Sequence, residues 1–521
     1  MTAKIIKTRF APSPTGALHI GGLRTALYSY LFAKKNGGEF LLRIEDTDSK
    51  RFVPHAEEYI KASLRWVGLD YDESKVLKQS ERKVIYKKYA DQLIKDGKAY
   101  YAFDTPEELE AKKEEFASAG IPSPQYNYVM RAKMANSLTL SDEEVQKRFD
   151  NGDPFVIRIK MPRKEEIRFK DKVKGWIVTQ TDNLDDKVIW KSSDGLPTYH
   201  LANVVDDYSS QITHVIRGVE WLPSTPLHVH LYKSLGWEEH IPTFVHLPLL
   251  TYKGKKLSKR NADQYGIPVY FLPWEDYDNF MMMEFSPEAL MNFLALIGWN
   301  PGTDQEIFSM EEMVEAFTLE RIGNSSGSEV DMEKASWINA QHLRKLPIDD
   351  LFEIARREDY EFCTALMDNF SVEYCKKALS LIQERCVFPS DILKESKFFF
   401  ATPELYNDEV IKKHWVSSEI KTQLVSIRTL LSEIEEKDFT LENTERLTKD
   451  FLKMLNIPFK HVFPLLRTLL VGDNIGPPMF DIISHLGKKE SLLRLDIGIE
   501  YLSHFNNKLF CDIIKEKNDK I

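Results

Sequence analysis

The chain has 521 residues, of which 43% are hydrophobic and 29% are charged, and its formal net charge is −10. This composition is that of an ordinary globular protein with about three or four domains, and no apolar run approaches the roughly 18 residues of a membrane helix. The acidic balance argues mildly against a nucleic-acid-binding protein, but a local basic face can still bind phosphate, so charge neither supports nor excludes an RNA partner.

The first elements are predicted to be a strand, a loop, a helix and a second strand. An apolar strand at 5–10 leads into a turn with Pro12 and Pro14, and a helix begins near Gly21. Its apolar residues recur with the helical period, and a second strand follows at 39–45. A loop at the carboxyl end of a strand and at a helix N-terminus favours phosphate binding.

The middle of the chain predicts a separate α+β module inserted between two halves of this first sheet. A helix at 106–116 is followed by alternating patterns that predict strands at 155–159 and 166–169. The first sheet is expected to resume at 187–190 and to continue with a strand at 212–217.

The last part of the chain is predicted to be helical. Helices at 223–235 and 287–296 precede it, and beyond Met332 the helical period continues almost to the end. Four cysteines, Cys363, Cys375, Cys386 and Cys511, lie too far apart for a metal or redox motif and are typical of core residues in a reducing compartment. The N-terminus shows neither a signal peptide nor a presequence, so we expect a cytoplasmic protein.

Two segments carry residues suited to chemistry on a nucleotide. The first is His19-Ile20-Gly21-Gly22, which follows a Pro-Ser-Pro-Thr-Gly run, and the second is Lys255-Lys256-Leu257-Ser258-Lys259-Arg260. An imidazole can stabilise charge on a triphosphate, and Gly21 leaves room for adenine and ribose. A mobile lysine loop can neutralise a departing pyrophosphate. Taken alone, a half-buried structural histidine and a solvated lysine cluster are the alternatives.

Together the two segments resemble the HIGH and KMSKS signatures of class I aminoacyl-tRNA synthetases, and the run from Arg9 to Gly22 resembles the glutamyl-tRNA synthetase family. The resemblance covers essentially the whole chain. It implies an α/β fold, in which a Rossmann-type catalytic domain is split by an α+β insertion and followed by an all-α anticodon-binding region, as in the bacterial type. The implied domains are the catalytic domain at 1–100 and 190–243, the acceptor-end-binding insertion at 101–189, the KLSKR loop and stem-contact domain at 244–335, and the anticodon-binding region at 336–521.

The resemblance also implies roles for single residues around ATP, which is expected to bind with Mg²⁺. The implied catalytic residues are His19, Gly21, Lys256, Ser258 and Lys259. The implied ATP-binding residues are Pro12, Thr15, Gly16, His19, Gly21, Gly22, Leu250, Lys259 and Arg260.

A glutamate substrate carries two carboxylates and one ammonium group, so its pocket needs arginines and one acid. Arg9 and Arg217 supply planar guanidinium groups suited to carboxylates, and Glu45 can hold the ammonium. A buried structural arginine is the alternative for Arg217. The pocket that the resemblance implies consists of Arg9, Ala11, Ser13, Glu45, Tyr199, Asn203, Arg217 and Trp221.

The chain departs from the family pattern in two places. Some family members bind zinc through cysteines of the inserted module, but the corresponding stretch here is Tyr101-Ala102-Phe103-Asp104, so we predict no zinc. The segment 261–283 is longer than the usual joint after the lysine loop. Its aromatic residues predict a packed insertion: Tyr265, Tyr270, Phe271, Trp274 and Tyr277.

The activity that the resemblance implies is ATP-dependent formation of glutamyl-adenylate from L-glutamate, followed by transfer to the 3′-terminal adenosine of tRNA-Glu. A monomer without a membrane partner is expected. One alternative is the paralogue that glutamylates a modified tRNA base, which lacks an anticodon-binding region. Another is a non-catalytic RNA-binding module, against which the intact Arg9, His19, Arg217 and Lys259 argue. Whether tRNA-Gln is also charged stays open.

Overall fold

A computed structural model describes residues 5–48, 51–121, 124–275, 278–415 and 419–518, and for residues 259, 260, 263, 362 and 504–518 it describes the backbone alone. The chain divides into two compact units, Met1–Ile338 and Asn339–Ile521. None of the described helices is long and apolar enough to cross a membrane.

The first unit contains every strand of the described chain. The strands are β1 (Lys7–Phe10), β2 (Glu39–Ile44), β3 (Leu77–Lys78), β4 (Ala99–Ala102), β5 (Val156–Ile159), β6 (Glu166–Asp171), β7 (Gly175–Gln180), β8 (Val188–Lys191), β9 (His214–Gly218), β10 (Thr243–Leu247), β11 (Leu249–Tyr252), β12 (Lys255–Lys256) and β13 (Gly327–Glu329). The helices up to the division are α1 (Ile20–Lys35), α2 (Ala56–Trp66), α3 (Lys83–Lys95), α4 (Pro106–Ser118), α5 (Tyr128–Arg131), α6 (Asp142–Asp150), α7 (Tyr199–Ser209), α8 (Thr225–Ser234), α9 (Lys259–Tyr265), α10 (Pro287–Leu296), α11 (Met310–Ala316) and α12 (Met332–Lys345), which crosses it.

The predicted strand–loop–helix–strand start is confirmed and forms part of a Rossmann-type sheet. β1, β2 and β3 pair in parallel in that order, and β9 and β10 form another parallel pair. The two groups meet at Lys7 and Thr213, where Lys7 N donates to Thr213 Oγ1 and Thr213 N donates to Lys7 O, both at 2.9 Å. The strand order is therefore β3-β2-β1-β9-β10. In sheets of this order ligands bind at the carboxyl ends of the strands, where the order reverses between β1 and β9.

The strand pairing in the middle of the chain corrects two predictions. β8, which was expected to resume the first sheet at 187–190, instead pairs antiparallel with β5 in a sheet of order β4-β5-β8. The β6–β7 hairpin, predicted as part of a separate module, extends the sheet of β9 and β10, because Asp171 pairs with Phe244 of β10. The alternation of apolar and polar residues along a strand predicts which side chains share a face of the sheet. It does not predict which strand pairs with it, because that depends on contacts between residues distant in sequence. The proposed boundaries of the four domains stay predictions.

The segment 261–283 is packed, as predicted. Its described residues lie against the first 60 residues of the chain. Tyr270 and Phe271 are buried, and Val269 O accepts from Ile20 N, the first residue of α1 (2.9 Å). Tyr59 Oη lies 3.1 Å from the backbone nitrogen of Phe271, and the Tyr59 ring lies against Trp274. Tyr265 is exposed, and Tyr277 lies outside the described residues.

Helices are the only regular secondary structure among the described residues of the second unit, as predicted. Its helices are α13 (Ile348–Glu358), α14 (Tyr360–Asn369), α15 (Val372–Ile382), α16 (Pro389–Phe400), α17 (Asp408–His414), α18 (Glu419–Glu433), α19 (Leu441–Met454), α20 (Phe459–Val471) and α21 (Met479–Asn518), with a kink at Gly487. They enclose one hydrophobic core, which includes Ile382, Leu424, Leu466 and Ile483. Cys363, Cys375 and Cys386 are buried with free thiols, and the side chain of Cys511 lies outside the described residues.

Candidate active site

A cavity of about 360 Å³ lies at the carboxyl ends of β1, β2 and β9, at the switch point of the sheet. It brings together most of the predicted site residues: Arg9, Ala11, Pro12, Ser13, His19, Gly21, Gly22, Glu45, Tyr199, Asn203, Arg217, Trp221, Leu250 and Lys256. Thr15, Gly16 and Ser258 lie outside this lining. The side chains of Lys259 and Arg260 are not among those described. The roles of all these residues stay predictions.

His19 caps the N-terminus of α1 with its own ring. Its Nδ1 accepts a hydrogen bond from Gly21 N at 3.1 Å. Because Nδ1 is an acceptor, the proton of the neutral ring lies on Nε2. A Cβ at Gly21 would meet no protein atom closer than 3.6 Å, so this position is not required to be glycine by the protein's own packing. Space at Gly21 is therefore available to a ligand in the cavity.

The lysine loop at 255–260 is anchored at Leu257 and at the turn that leads into α9. The buried Leu257 donates its backbone N–H to Leu250 O at 2.8 Å. The side chain of Asn261 accepts from Ser258 N at 2.7 Å and donates to Lys256 O at 2.7 Å. Asn261 thus closes the turn that leads into α9 and fixes the backbone on which Lys259 begins the helix. Asn261 was not among the predicted site residues.

On the opposite side of the cavity, two buried arginines share one carboxylate. Asp207 Oδ1 accepts from Arg9 Nε at 3.0 Å and from Arg43 Nη1 at 2.5 Å. Arg43 Nη2 also donates to Glu45 Oε1 at 3.2 Å and to Asn203 Oδ1. Burial disfavours the charged form of Asp207, but Arg43 and Arg9 outweigh it and hold the pKa of Asp207 below its usual range. Burial raises the pKa of Glu45.

Arg217 has different surroundings from Arg9 and Arg43. It donates through Nη1 to Tyr199 Oη (2.8 Å), through Nη2 to Thr225 Oγ1 (2.8 Å) and through Nε to His246 Nε2 (3.1 Å). Among the described residues, no carboxylate forms an ion pair with it, and burial lowers the pKa of Arg217. In the part of the chain that the structure describes, the cavity therefore contains a buried guanidinium group whose hydrogen-bond partners are all neutral and which forms no direct ion pair. Such a group is suited to an anionic ligand.

Three residues beside the cavity were not among the predicted site residues: Arg43, Asp207 and His246. Arg43 lies near the end of β2, two residues before the predicted Glu45, so the strand period could have placed the two side chains on one face. Asp207 lies in the Val-Val-Asp-Asp run of α7, beside the predicted Asn203. His246, on β10, had no local signal, because its partners Arg217 and Asp171 are distant in sequence.

A second cavity, of about 680 Å³, lies beside the first. Its lining includes the basic side chains of Lys113, Arg158 and Lys187 and one acid, Asp185, which pairs with Lys187 at 2.5 Å. Tyr199 lines both cavities. A depression with more basic than acidic side chains is suited to a phosphate-bearing chain.

The stretch at Tyr101–Asp104 does not fit a zinc site. Asp104 accepts from Tyr126 Oη at 2.7 Å and from Ala135 N at 2.8 Å, so protein donors engage both carboxylate oxygens. No thiolate is present, although structural zinc sites in proteins are built mainly from cysteine and histidine. Within the described residues, no group of three or more His, Cys, Asp or Glu could hold a metal ion.

Comparison with known proteins agrees with this geometry. Residues 5–337 match the family model of "tRNA synthetases class I (E and Q), catalytic domain", and residues 353–499 match an anticodon binding domain. A glutamate–tRNA ligase of Amoebophilus asiaticus is 48% identical, over 96% of this chain and 99% of its own. One from Cytophaga hutchinsonii is 47% identical, over 96% of this chain and 98% of its own.

Solved structures agree as well. A glutamate tRNA ligase from Elizabethkingia meningosepticum, in complex with its amino acid, is 40% identical with a TM-score of 0.84, covering 95% of this chain and 99% of its own. The Elizabethkingia anophelis glutamate-tRNA synthetase is 39% identical with a TM-score of 0.83, covering 95% and 100% of the two chains. The sequence motifs, the cavity and these matches over nearly the full length lead to one conclusion: the chain belongs to the bacterial glutamyl-tRNA synthetase family of class I aminoacyl-tRNA synthetases.

Proposed function

We propose that this protein is a glutamate–tRNA ligase, which activates L-glutamate with ATP and transfers it to the 3′-terminal adenosine of tRNA-Glu. The observation that carries the proposal is the buried guanidinium of Arg217, which donates only to neutral groups, in a cavity that His19 and Lys256 also line. Arg217 can bind a carboxylate, and His19 and Lys256 can bind phosphates at the other end of the cavity. Such a site suits a reaction that joins a carboxylate to a nucleotide. The full-length similarity to glutamate–tRNA ligases supports the same conclusion.

In the proposed complex, the three polar groups of glutamate meet three different side chains. The γ-carboxylate pairs with Arg217, whose present hydrogen-bond acceptors are all neutral. The ammonium group lies against Glu45, which gains a second cationic partner beside Arg43 and is thereby kept ionised. Arg9 is held through Nε by Asp207, and we propose that its Nη nitrogens contact the substrate. The arrangement positions the α-carboxylate for reaction.

Activation then requires ATP at the other end of the cavity, with its adenine against Gly21 and Leu250. The α-carboxylate oxygen attacks the α-phosphorus, the bond to the bridging oxygen of pyrophosphate breaks, and glutamyl-adenylate forms. His19 Nε2–H and the lysines of the KLSKR loop stabilise the negative charge on the phosphates. Mg²⁺ is expected to arrive with ATP, whose phosphate oxygens are ligands that it prefers and whose charge it neutralises.

In the second step, a hydroxyl of the terminal ribose attacks the adenylate carbonyl and AMP leaves. We propose that the insertion at 101–189 receives the acceptor end, that 244–335 contacts the stem and that the helical second unit reads the anticodon. The second cavity, with its basic lining, is the proposed place for the RNA end. We further propose that the enzyme acts as a monomer in the cytoplasm.

The test of the proposed function is glutamate-dependent ATP–pyrophosphate exchange, measured with and without tRNA. Exchange that requires L-glutamate and rises when tRNA-Glu is added supports the proposal. A protein that binds tRNA without any exchange would instead be a non-catalytic RNA-binding module. Charging of tRNA-Glu and tRNA-Gln in parallel then shows whether one or both are substrates, which the anticodon contacts decide.

The change Arg217→Gln is expected to lower kcat/KM for glutamate by about thirtyfold or more and to narrow the preference over glutamine. In the wild type a glutamine amide leaves the buried Arg217 charge unpaired, a mismatch that costs roughly 2 kcal/mol or more. The measurement is kcat/KM for both amino acids in both proteins. Arg65→Gln, at an exposed position of α2, is the matched control. If the variant kept its full preference for glutamate over glutamine, Arg217 would not be the residue that binds the side chain of the substrate.

Metal analysis of the purified protein is expected to show no stoichiometric zinc. The reason is the set of groups at the predicted place, where Asp104 is engaged by Tyr126 and Ala135 and no cysteine is present. Elemental analysis after dialysis decides the question. One zinc per chain that resists dialysis would contradict the prediction.

A further inference from the structure

Arg217 is held by a buried relay of two residues from distant parts of the chain. Its Nε donates to His246 Nε2 at 3.1 Å, and His246 Nδ1 lies 2.6 Å from Asp171 Oδ2. The side chains of His246 and Asp171 are both fully buried. We propose that His246 and Asp171 are positioning residues, which orient the guanidinium of Arg217 toward the side-chain carboxylate of glutamate while leaving its charge available. The inference rests on the proposed function, in which Arg217 binds that carboxylate.

The hydrogen bonds of the relay allow only one tautomer of His246. The Nε–H of an arginine is always a donor, so His246 Nε2 must be the acceptor. An ionised carboxylate only accepts, so the ring proton must lie on Nδ1 and point at Asp171. Thr225 Oγ1, 3.2 Å from His246 Nε2, can donate to the same lone pair while it accepts from Arg217 Nη2. Every contact around His246 therefore requires the neutral ring with its proton on Nδ1.

The use of an imidazole instead of an acid beside Arg217 has an electrostatic consequence. Arg9 and Arg43 contact Asp207 directly, and that carboxylate neutralises much of their charge. Arg217 contacts a neutral ring, and the negative charge of Asp171 lies one imidazole further away. Since Coulomb energy falls with distance, Asp171 can fix the ring without competing strongly with a substrate carboxylate. The relay fixes the orientation of the Arg217 guanidinium and leaves its positive charge available to a substrate carboxylate.

The far end of the relay is anchored by backbone. Asp171 ends β6, and its Oδ1 accepts from the backbone nitrogens of Val173 (2.9 Å) and Lys174 (2.8 Å) in the turn of the β6–β7 hairpin. Its Oδ2 is thereby directed at His246, which lies on the neighbouring β10. The hairpin belongs to the segment between the two halves of the catalytic sheet. The relay thus ties the hairpin turn to the amino-acid pocket.

The decisive variant is Asp171→Asn. The asparagine Oδ1 can keep the two turn hydrogen bonds, which places its NH₂ group at the position of Oδ2, where it donates to His246 Nδ1. The ring must then carry its proton on Nε2, against the Nε–H of Arg217, so the guanidinium is displaced; loss of the correct tautomer in this way is known from serine proteases. We expect KM for glutamate in tRNA charging to rise about tenfold or more, with kcat and KM for ATP changed by less than about twofold.

Two variants of His246 separate the two hydrogen bonds. In His246→Gln the amide oxygen can replace Nε2 and accept from Arg217, so KM for glutamate is expected to stay within about threefold of wild type. In His246→Asn the shorter amide reaches only the position of Nδ1, so KM is expected to rise as in Asp171→Asn. Asp96→Asn, at an exposed position after α3, is the control.

These measurements distinguish the inference from the proposed function. If the wild type charges tRNA with glutamate while Asp171→Asn and His246→Asn retain its KM for glutamate, the relay has no positioning role. The same conclusion follows if kcat alone falls, or if His246→Gln is as impaired as His246→Asn. If the wild type itself shows no glutamate-dependent reaction, the proposed function fails instead. Should Asp171→Asn not fold, the two His246 variants decide the matter.

Discussion

The change Asp207→Ala is expected to lower the free energy of unfolding of the first unit by about 3–5 kcal/mol, because it leaves two buried guanidinium groups without their shared carboxylate. Arg9 and Arg43 contact Asp207 from two neighbouring strands, and all three side chains are at most 5% exposed. Glutamate-dependent activity should be lost as well, since Arg9 and Glu45 depend on this cluster for their positions.

Urea unfolding followed by tryptophan fluorescence measures the effect, because eight of the nine tryptophans precede the division at residue 338. The matched control is Asp91→Ala, which removes an acid from an exposed pair with Lys87 on α3. Exposed ion pairs of this kind contribute only about 0.5 kcal/mol to the free energy of unfolding. If Asp207→Ala and Asp91→Ala lowered the free energy of unfolding equally, the buried cluster would contribute no more to stability than a surface ion pair.

Lys259→Ala is expected to slow adenylate formation by about a hundredfold, or on the order of 3 kcal/mol, with little change in glutamate binding. The lysine follows Ser258, whose backbone Asn261 holds in the turn that begins α9. On the proposed function, a cation at this place meets the triphosphate mainly while charge moves onto the departing pyrophosphate. We therefore expect it to stabilise the transition state more than the bound substrates.

Single-turnover activation in the presence of tRNA tests this expectation, with glutamate affinity measured separately. Lys75→Ala is the control, since Lys75 forms a half-exposed pair with Glu39 away from the cavity. An activation rate equal to that of the wild type would exclude Lys259 from the phosphate end of the site.

The elements that the sequence predicted well are those set by neighbouring residues. The loop before α1, the helix itself and β2 follow from prolines, glycines and apolar period within one short stretch. The pocket residues Arg9, Glu45 and Arg217 could be named because the segments that carry them resemble those of the glutamyl-tRNA synthetase family and because their charges suit a glutamate substrate. Each also ends or nearly ends a predicted strand, and the ends of parallel strands meet at one edge of a sheet.

What could not be predicted depends on contacts between distant parts of the chain. The place of the β6–β7 hairpin beside β10 follows from pairing at Asp171 and Phe244, for which the local pattern carries no signal. His246 gains its importance only from that pairing and from Arg217 on β9. Asp207 was overlooked because an acid in a helix is ordinarily solvated, whereas here two strands deliver arginines to it.

Tyr199 lines both cavities and, on the proposed function, links the amino acid in the first cavity to the RNA end in the second. Its hydroxyl accepts from Arg217 at 2.8 Å and its ring lies 4.6 Å from that of Trp221, so a ligand that shifts Tyr199 from either side alters the other side. Linkage requires this influence to be mutual: if an RNA end in one cavity raises the affinity for the amino acid by some factor, the amino acid raises the affinity for the RNA by the same factor. Whether the RNA or the amino acid binds first then changes only the binding pathway. The total free energy of forming the complex of enzyme, RNA and amino acid is the same for both orders.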